Sequence, residues 1–158
     1  MQKRRGFSLI ELLIVIAIIL IIASMAIPSL TGAHRTANEA AAVKALQTIN
    51  SAQVSYNSTY PTIGFAANLA MLGGTSCLPP SSRSACLIDN QIASGTKHGY
   101  NFVITGLAGT PAATYQVLAS PTVPNHTGVR YFCSFADGVV RVSESAISAC
   151  DTNLPPLQ

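Results

Sequence analysis

The chain has 158 residues, of which 49% are apolar and only 9% charged, with nine Lys and Arg against six Asp and Glu. Its formal charge of +3 comes from Lys3, Arg4 and Arg5, because the six remaining cations balance the six acids. A strong general pull on nucleic acid is therefore not expected, and 6% aromatics with no tryptophan argue against a stacking platform for single strands.

In chain order, the first element is Met1-Gln2-Lys3-Arg4-Arg5-Gly6, three cations and a glycine ahead of an apolar run from Phe7 to Ile27. Only Ser8, Glu11 and Ser24 interrupt that run, which is long enough for a helix to cross a hydrocarbon core. The leading cations hold the N-terminus in the cytoplasm and place the bulk of the chain across the membrane. A carboxylate near the middle of a membrane helix costs roughly 2.5–3.5 kcal/mol, so Glu11 is expected to have a use there.

Gly6-Phe7-Ser8-Leu9-Ile10-Glu11-Leu12 resembles the processing motif of type IV prepilins, the superfamily of type IVa pilins and pseudopilins. The resemblance implies that a prepilin peptidase cuts between Gly6 and Phe7, that Phe7 is N-methylated, and that Glu11 guides assembly. Elementary electrostatics agrees with it. A cut after Gly6 exposes an α-amine with a reference pKa of about 7.7–8.0, and Glu11 lies one helical turn further on, on nearly the same face. Pairing relieves the desolvation that each charge suffers alone, and a partner amine on a neighbouring subunit would set the register between helices. Two other readings compete. In one, Ser24-Met25-Ala26 is the cleavage site of an ordinary secretory signal peptide, although the apolar region is longer than the usual 7–15 residues. In the other, the run is a plain single-span anchor, which leaves Gly6-Phe7 without a purpose.

Pro28 and Gly32, both costly in a helix interior, predict a kink or softened turn. By the resemblance, Pro28 occupies the position of the usual pilin proline, while Leu20 stands where many pilins have glycine. Helical periodicity then resumes, with Ala42, Ala45, Leu46, Ile49, Ala52 and Tyr56 on one stripe and Lys44, Gln47, Ser51 and Ser55 opposite. Gln53 falls on the apolar stripe as a blemish. One helix from about Ser8 to Asn57 is expected, roughly 75 Å long at 1.5 Å per residue, apolar all round in residues 7–27 and amphipathic in residues 28–57.

Residues 58–98 read as a short helix from Phe65 to Leu72, stopped by Gly73-Gly74, and a Ser- and Pro-rich loop from Thr75 to Asp89. Tyr60-Pro61-Thr62, Gly64, Leu69 and Leu72 resemble the equivalent region of the major type II secretion pseudopilin. Residues 99–158 read as β. Gly99–Thr105 and Thr114–Ser120 alternate about a Gly109-Thr110-Pro111 turn, and Val129–Phe135 and Val139–Val142 flank Ala136-Asp137-Gly138, a strong hairpin signal. The expected fold is α+β, a long N-terminal helix packed on a four-stranded antiparallel sheet with a disulfide-bonded C-terminal loop. Cys77, Cys86, Cys133 and Cys150 permit three pairings. Cys77–Cys86 and Cys133–Cys150 are the short local closures, and the second resembles the C-terminal disulfide loop of many type IVa pilins.

No metal site or cofactor is expected. No cysteine spacing is C-x-x-C, His34, His98 and His126 are isolated, and Asp89, Asp137, Glu144 and Asp151 lack calcium-loop spacing. By the resemblance the major pseudopilin usually binds calcium in its head, and so few acids speak against it. No nucleophile elbow, P-loop or paired-acid motif suggests an enzyme. DNA capture, not predicted, would fall to Arg35, Lys44, Arg83, Lys97, Arg130 or Arg141. The reading is a structural pilin that waits in the inner membrane with its head outside and polymerises into an extracellular type IV pilus. The resemblance implies a homo-oligomeric filament served by the prepilin peptidase and by an inner-membrane platform with its ATPases. The alternatives are a type II secretion pseudopilin and a secreted binding protein.

Overall fold

The structure, a computed structural model, describes residues 7–74 and 79–157, Pro28 by its backbone only. Helix α1 (Leu9–Thr59) runs through two compact units, Met1–His34 and Arg35–Gln158. In the first unit the helix is apolar on every side and its large side chains from Leu9 to Leu30 are exposed, Leu20 at 67%. The stretch meets the length and composition for crossing a membrane, where exposure to lipid carries no hydrophobic penalty.

The second unit is an α+β head. Ala42, Ala45, Leu46, Ile49, Ala52 and Tyr56 of α1 share one core with the inner face of an antiparallel sheet. That stripe is the one expected from spacing. The sheet is a meander in the order β1 (Thr96–Lys97), β2 (Tyr100–Ala108), β3 (Thr114–Pro121), β4 (Tyr131–Phe135), β5 (Arg141–Ser143). Phe102, Ala119, Phe132 and Val142 lie in one cross-strand row, and Ile104, Val117 and Ser134 in the next. All but the partly buried Val142 are buried, because alternation turns this set toward the helix.

The four expected strands are present, and a fifth joins them at the edge. β1 pairs only Thr96 with Asn101 and Lys97 with Tyr100, so it is too short to show alternation. His98 (φ 48°) and Gly99 (φ 73°) make its two-residue hairpin turn, the left-handed geometry that matches strand twist. At the other edge the chain's end covers β5, with Val142 N–H donating to Pro155 O at 3.1 Å and Leu157 N–H to Val140 O at 2.9 Å. Such cover blunts an edge that would otherwise pair with other chains.

Two connecting helices differ from expectation. Helix α2 spans only Leu69–Leu72, capped by Asn68, whose side chain accepts from Met71 N–H. The chain before it does not continue the helix but turns and bends, because Gly64 bridges to Ala112 and Ala66 is bound by a side chain of α1. Helix α3 (Asn90–Ala93) starts at Asp89, whose carboxylate accepts from Gln91 and Ile92 N–H. That cap was readable in the sequence as an acid ahead of a short apolar step.

Candidate functional site

The N-terminal motif forms a cap. Ser8 precedes the first helical residue, Leu9, and its N–H donates to Glu11 Oε2 at 2.9 Å, while Leu12 N–H donates to Ser8 O at 3.3 Å. Ser8-Leu9-Ile10-Glu11 is thus the S-x-x-E pattern, in which the acid at the third helical position reaches back to a backbone donor at the helix start. The carboxylate also lies where the helix dipole favours negative charge. Glu11 remains exposed, so its outer oxygen stays accessible to a second partner. Gly6, on the other side of the expected cut, lies outside the described residues, as do Lys3, Arg4 and Arg5.

At Pro28 and Gly32 the helical assignment is continuous. Proline supplies no N–H for the carbonyl one turn earlier. The hydroxyls of this region bond back to the helix, Ser24 Oγ to Ile21 O and Thr31 Oγ1 to Ile27 O, each at 2.7 Å. A Cβ added at Gly32 would meet nothing within 4 Å.

Three buried polar residues of α1 fasten the head, and spacing alone flagged only one of them. Gln53, the blemish on the stripe, is fully buried and clamps one residue of backbone: its Nε2 donates to Ala66 O at 3.0 Å, and its Oε1 accepts from Ala66 N–H at 2.8 Å. Asn50 Oδ1 accepts from Ser134 Oγ at 2.9 Å and from Tyr115 Oη at 3.1 Å, joining helix to sheet. Burial, with a lesser push from Asp137, raises the Tyr115 hydroxyl to about 12. Glu39 accepts from Val129 N–H at 2.9 Å, Arg130 N–H at 3.1 Å and Arg130 Nε at 2.7 Å. Burial pushes its carboxyl up, but these hydrogen bonds and the Arg130 charge outweigh it and hold Glu39 below the usual range. Tyr100 Oη donates to Arg130 O at 2.7 Å, and it passes so close to Gly128 that any Cβ there would collide with the ring.

Cys133 and Cys150 are bonded, with their Cα atoms 5.8 Å apart. Phe132 and Ser134 face the core, so Cys133 faces away from α1, and the bond draws the C-terminal segment over the outer face of the sheet. Cys150 N–H adds a bond to Gln116 Oε1 at 3.0 Å. The expected Cys77–Cys86 pairing involves Cys77, which lies outside the described residues.

Of the six candidate DNA-binding cations, three are held in ion pairs at 2.7 Å: Lys97 with Asp89, Arg130 with Glu39, and Arg141 with Asp137. Arg141 also stacks over Phe135, 4.2 Å from the ring centre. Among the described residues no group of three or more His, Cys, Asp or Glu converges.

A family model described as the prokaryotic N-terminal methylation motif matches residues 1–27. The chain is 38% identical over 65 residues to the type II secretion system core protein G of Klebsiella pneumoniae, covering 39% of this chain and 46% of that one. It is 56% identical over 39 residues to the type IV wide pilus major component PilA4 of Thermus thermophilus, covering 25% and 30%. These two matches therefore span less than half of either relative. Against the type II secretion system core protein G of Escherichia coli it is 32% identical over 123 residues, covering 76% of this chain and 74% of that one. No solved structure matches. The methylation motif at the N-terminus, the apolar helix carrying a single acid, the α+β head and a relative aligned over three quarters of both chains agree: the chain belongs to the type IV prepilin family, which takes in pilins and type II secretion pseudopilins.

Proposed function

We propose that this chain is the structural subunit of a type IV pilus. Cleavage between Gly6 and Phe7 by a prepilin peptidase, with methylation of the new amine, leaves a subunit anchored in the inner membrane by residues 7–27 with its head outside the cytoplasm. The amine of Phe7 then pairs with Glu11 of a neighbouring subunit, while the other carboxylate oxygen keeps the cap on Ser8. Assembly replaces lipid around the exposed apolar helix by identical helices, with Pro28 and Gly32 as the place where the helix yields. Platform and ATPases in the inner membrane drive the step, and the extracellular filament is the product. The role is structural, not catalytic.

The observation that carries the pilus reading is the Cys133–Cys150 bond, which closes the C-terminal loop as in many type IVa pilins. The use of head acids supports it, since Glu39, Asp89 and Asp137 are committed to cations and not grouped. A second reading, a type II secretion pseudopilin, is favoured by the alignment with the core protein G of Escherichia coli.

Deletion of the chain separates the two: loss of long surface fibres with secretion intact supports the pilus, and a secretion defect without loss of fibres supports the pseudopilin. Mass analysis of the purified protein should give methylated Phe7 as first residue. A start near Ile27 would return the secreted binding protein instead, and retention of Met1–Gly6 would overturn processing altogether.

A further inference from the structure

Arg35 opens the second unit with a charge that nothing in the head answers. Glu39 lies four residues on, the spacing at which opposite charges on a helix pair. Its carboxylate is spent elsewhere, Oε1 on Val129 N–H and Arg130 N–H and Oε2 on Arg130 Nε. Among the described residues Arg35 has no ion pair and no hydrogen bond, and its Nε is buried without a partner, a costly state for a charged group. The other unpaired cations of the head, Lys44 and Arg83, are exposed, so water serves them. Residues 123–129 pack one turn beyond Arg35 on the same face of α1, with Thr127 O accepting from Asn38 Nδ2 at 2.9 Å and Val129 N–H donating to Glu39. The loop is braced within itself, Asn125 N–H on Gly128 O and Thr127 N–H on Val123 O, each at 2.9 Å. It contains no acid and leaves Val123, Pro124 and Val129 exposed.

We infer that this end of the head rests on the bilayer before assembly, with the Arg35 guanidinium on phospholipid phosphate and Val123, Pro124 and Val129 against the headgroup layer. The inference rests on the reading of residues 7–27 as a membrane anchor and holds for a pilin and a pseudopilin alike. Leu30 is the last exposed large apolar side chain of the first unit, and Arg35 follows five residues later, about 7.5 Å along a helix. The headgroup layer outside the hydrocarbon is about 5–7 Å deep on each side, so the guanidinium arrives at the depth of the phosphates. A guanidinium meets phosphate with two parallel hydrogen bonds, which supplies the partner that Glu39 withholds. Apolar side chains beside a cation, with no free acid among them, suit a surface that is anionic above and apolar beneath.

The test uses the full chain reconstituted in vesicles of phosphatidylethanolamine and phosphatidylglycerol. The chain has no tryptophan, so Val123→Trp supplies a single indole, and a nitroxide carried on the lipid headgroup reads whether that indole lies at the surface. Flotation of the vesicles reports the membrane anchor separately. The indole of the floating chain should be quenched. Arg35→Gln in the same background should lower the ratio of docked to undocked heads about fivefold, the order expected of one basic residue at an anionic surface, and Arg35→Lys should keep most of it. A floating chain whose indole is not quenched, or is quenched equally with Arg35→Gln, overturns the docking and leaves the anchor standing. An indole shielded from aqueous iodide but untouched by the headgroup nitroxide assigns the surface to a second copy and likewise overturns the docking. A chain that does not float with the vesicles overturns the anchor and the docking with it. Formation of the Cys133–Cys150 bond in each variant reports that the head has folded.

Discussion

The two halves of α1 share one backbone and obey opposite rules. From Leu9 to Leu30 the large apolar side chains face outward on every side, and among the described residues one acid interrupts them. From Glu39 to Tyr56 most apolar side chains gather on a buried stripe, with Ala40 and Val54 exposed outside it, and polar ones within the stripe are tied to the head. In the first half a polar group must find its partner within the helix or on another copy, as Glu11 does at Ser8. In the second it finds one across the fold. A substitution in one half should therefore fail in a way that the other half does not show.

The largest expected effect is Glu11→Ala. On the proposed pilus reading, surface fibres should disappear while the protein still inserts and its head stays folded, because the lost carboxylate caps α1 at Ser8 and is no part of the head core. Normal fibres in that variant would break the contrast between the halves. Second is Gln53→Leu, which by periodicity alone completes the apolar stripe. It leaves Ala66 N–H and C=O buried without partners, at about 1–3 kcal/mol each. Chemical denaturation of the detergent-solubilised protein should show a lower midpoint, with membrane insertion unchanged. A more stable variant would mean that the clamp is dispensable.

A smaller effect concerns acid. Glu39, Asp89 and Asp137 all titrate below their ordinary values in the folded head. For Glu39 and Asp137 burial opposes the shift and is outweighed by hydrogen bonds and the neighbouring guanidinium, whereas for Asp89 the bond from Lys97 comes first. A carboxyl whose folded pKa is depressed adds stability that is present above its unfolded value, about 4, and is lost as pH falls through the folded one. Head stability measured across that range should fall on the acid side of about pH 4, and Glu39→Gln should flatten the slope. An unchanged slope would remove Glu39 from the account.

Most of the architecture was legible because its signals are local. The amphipathic stripe, the alternation of Tyr100, Phe102 and Ile104 and the Asp137-Gly138 turn each lie within a few residues. β1 escaped notice because two residues carry no period, and α2 came out shorter than expected because Phe65 and Ala66 are tied by backbone bonds to Ala112 and to the Gln53 side chain instead of to a helical turn. The cap at Ser8 and Glu11 was present as S-x-x-E but was overshadowed by the motif in which it is embedded.

The sequence by itself determined that a basic N-terminal stretch and an apolar segment with one acid precede an α+β head, since those features rest on composition and short periods. Only the tertiary structure decided what the buried polar residues do. Gln53 meets a partner 13 residues away, Asn50 one 84 away and Glu39 one 91 away, distances at which no spacing rule operates.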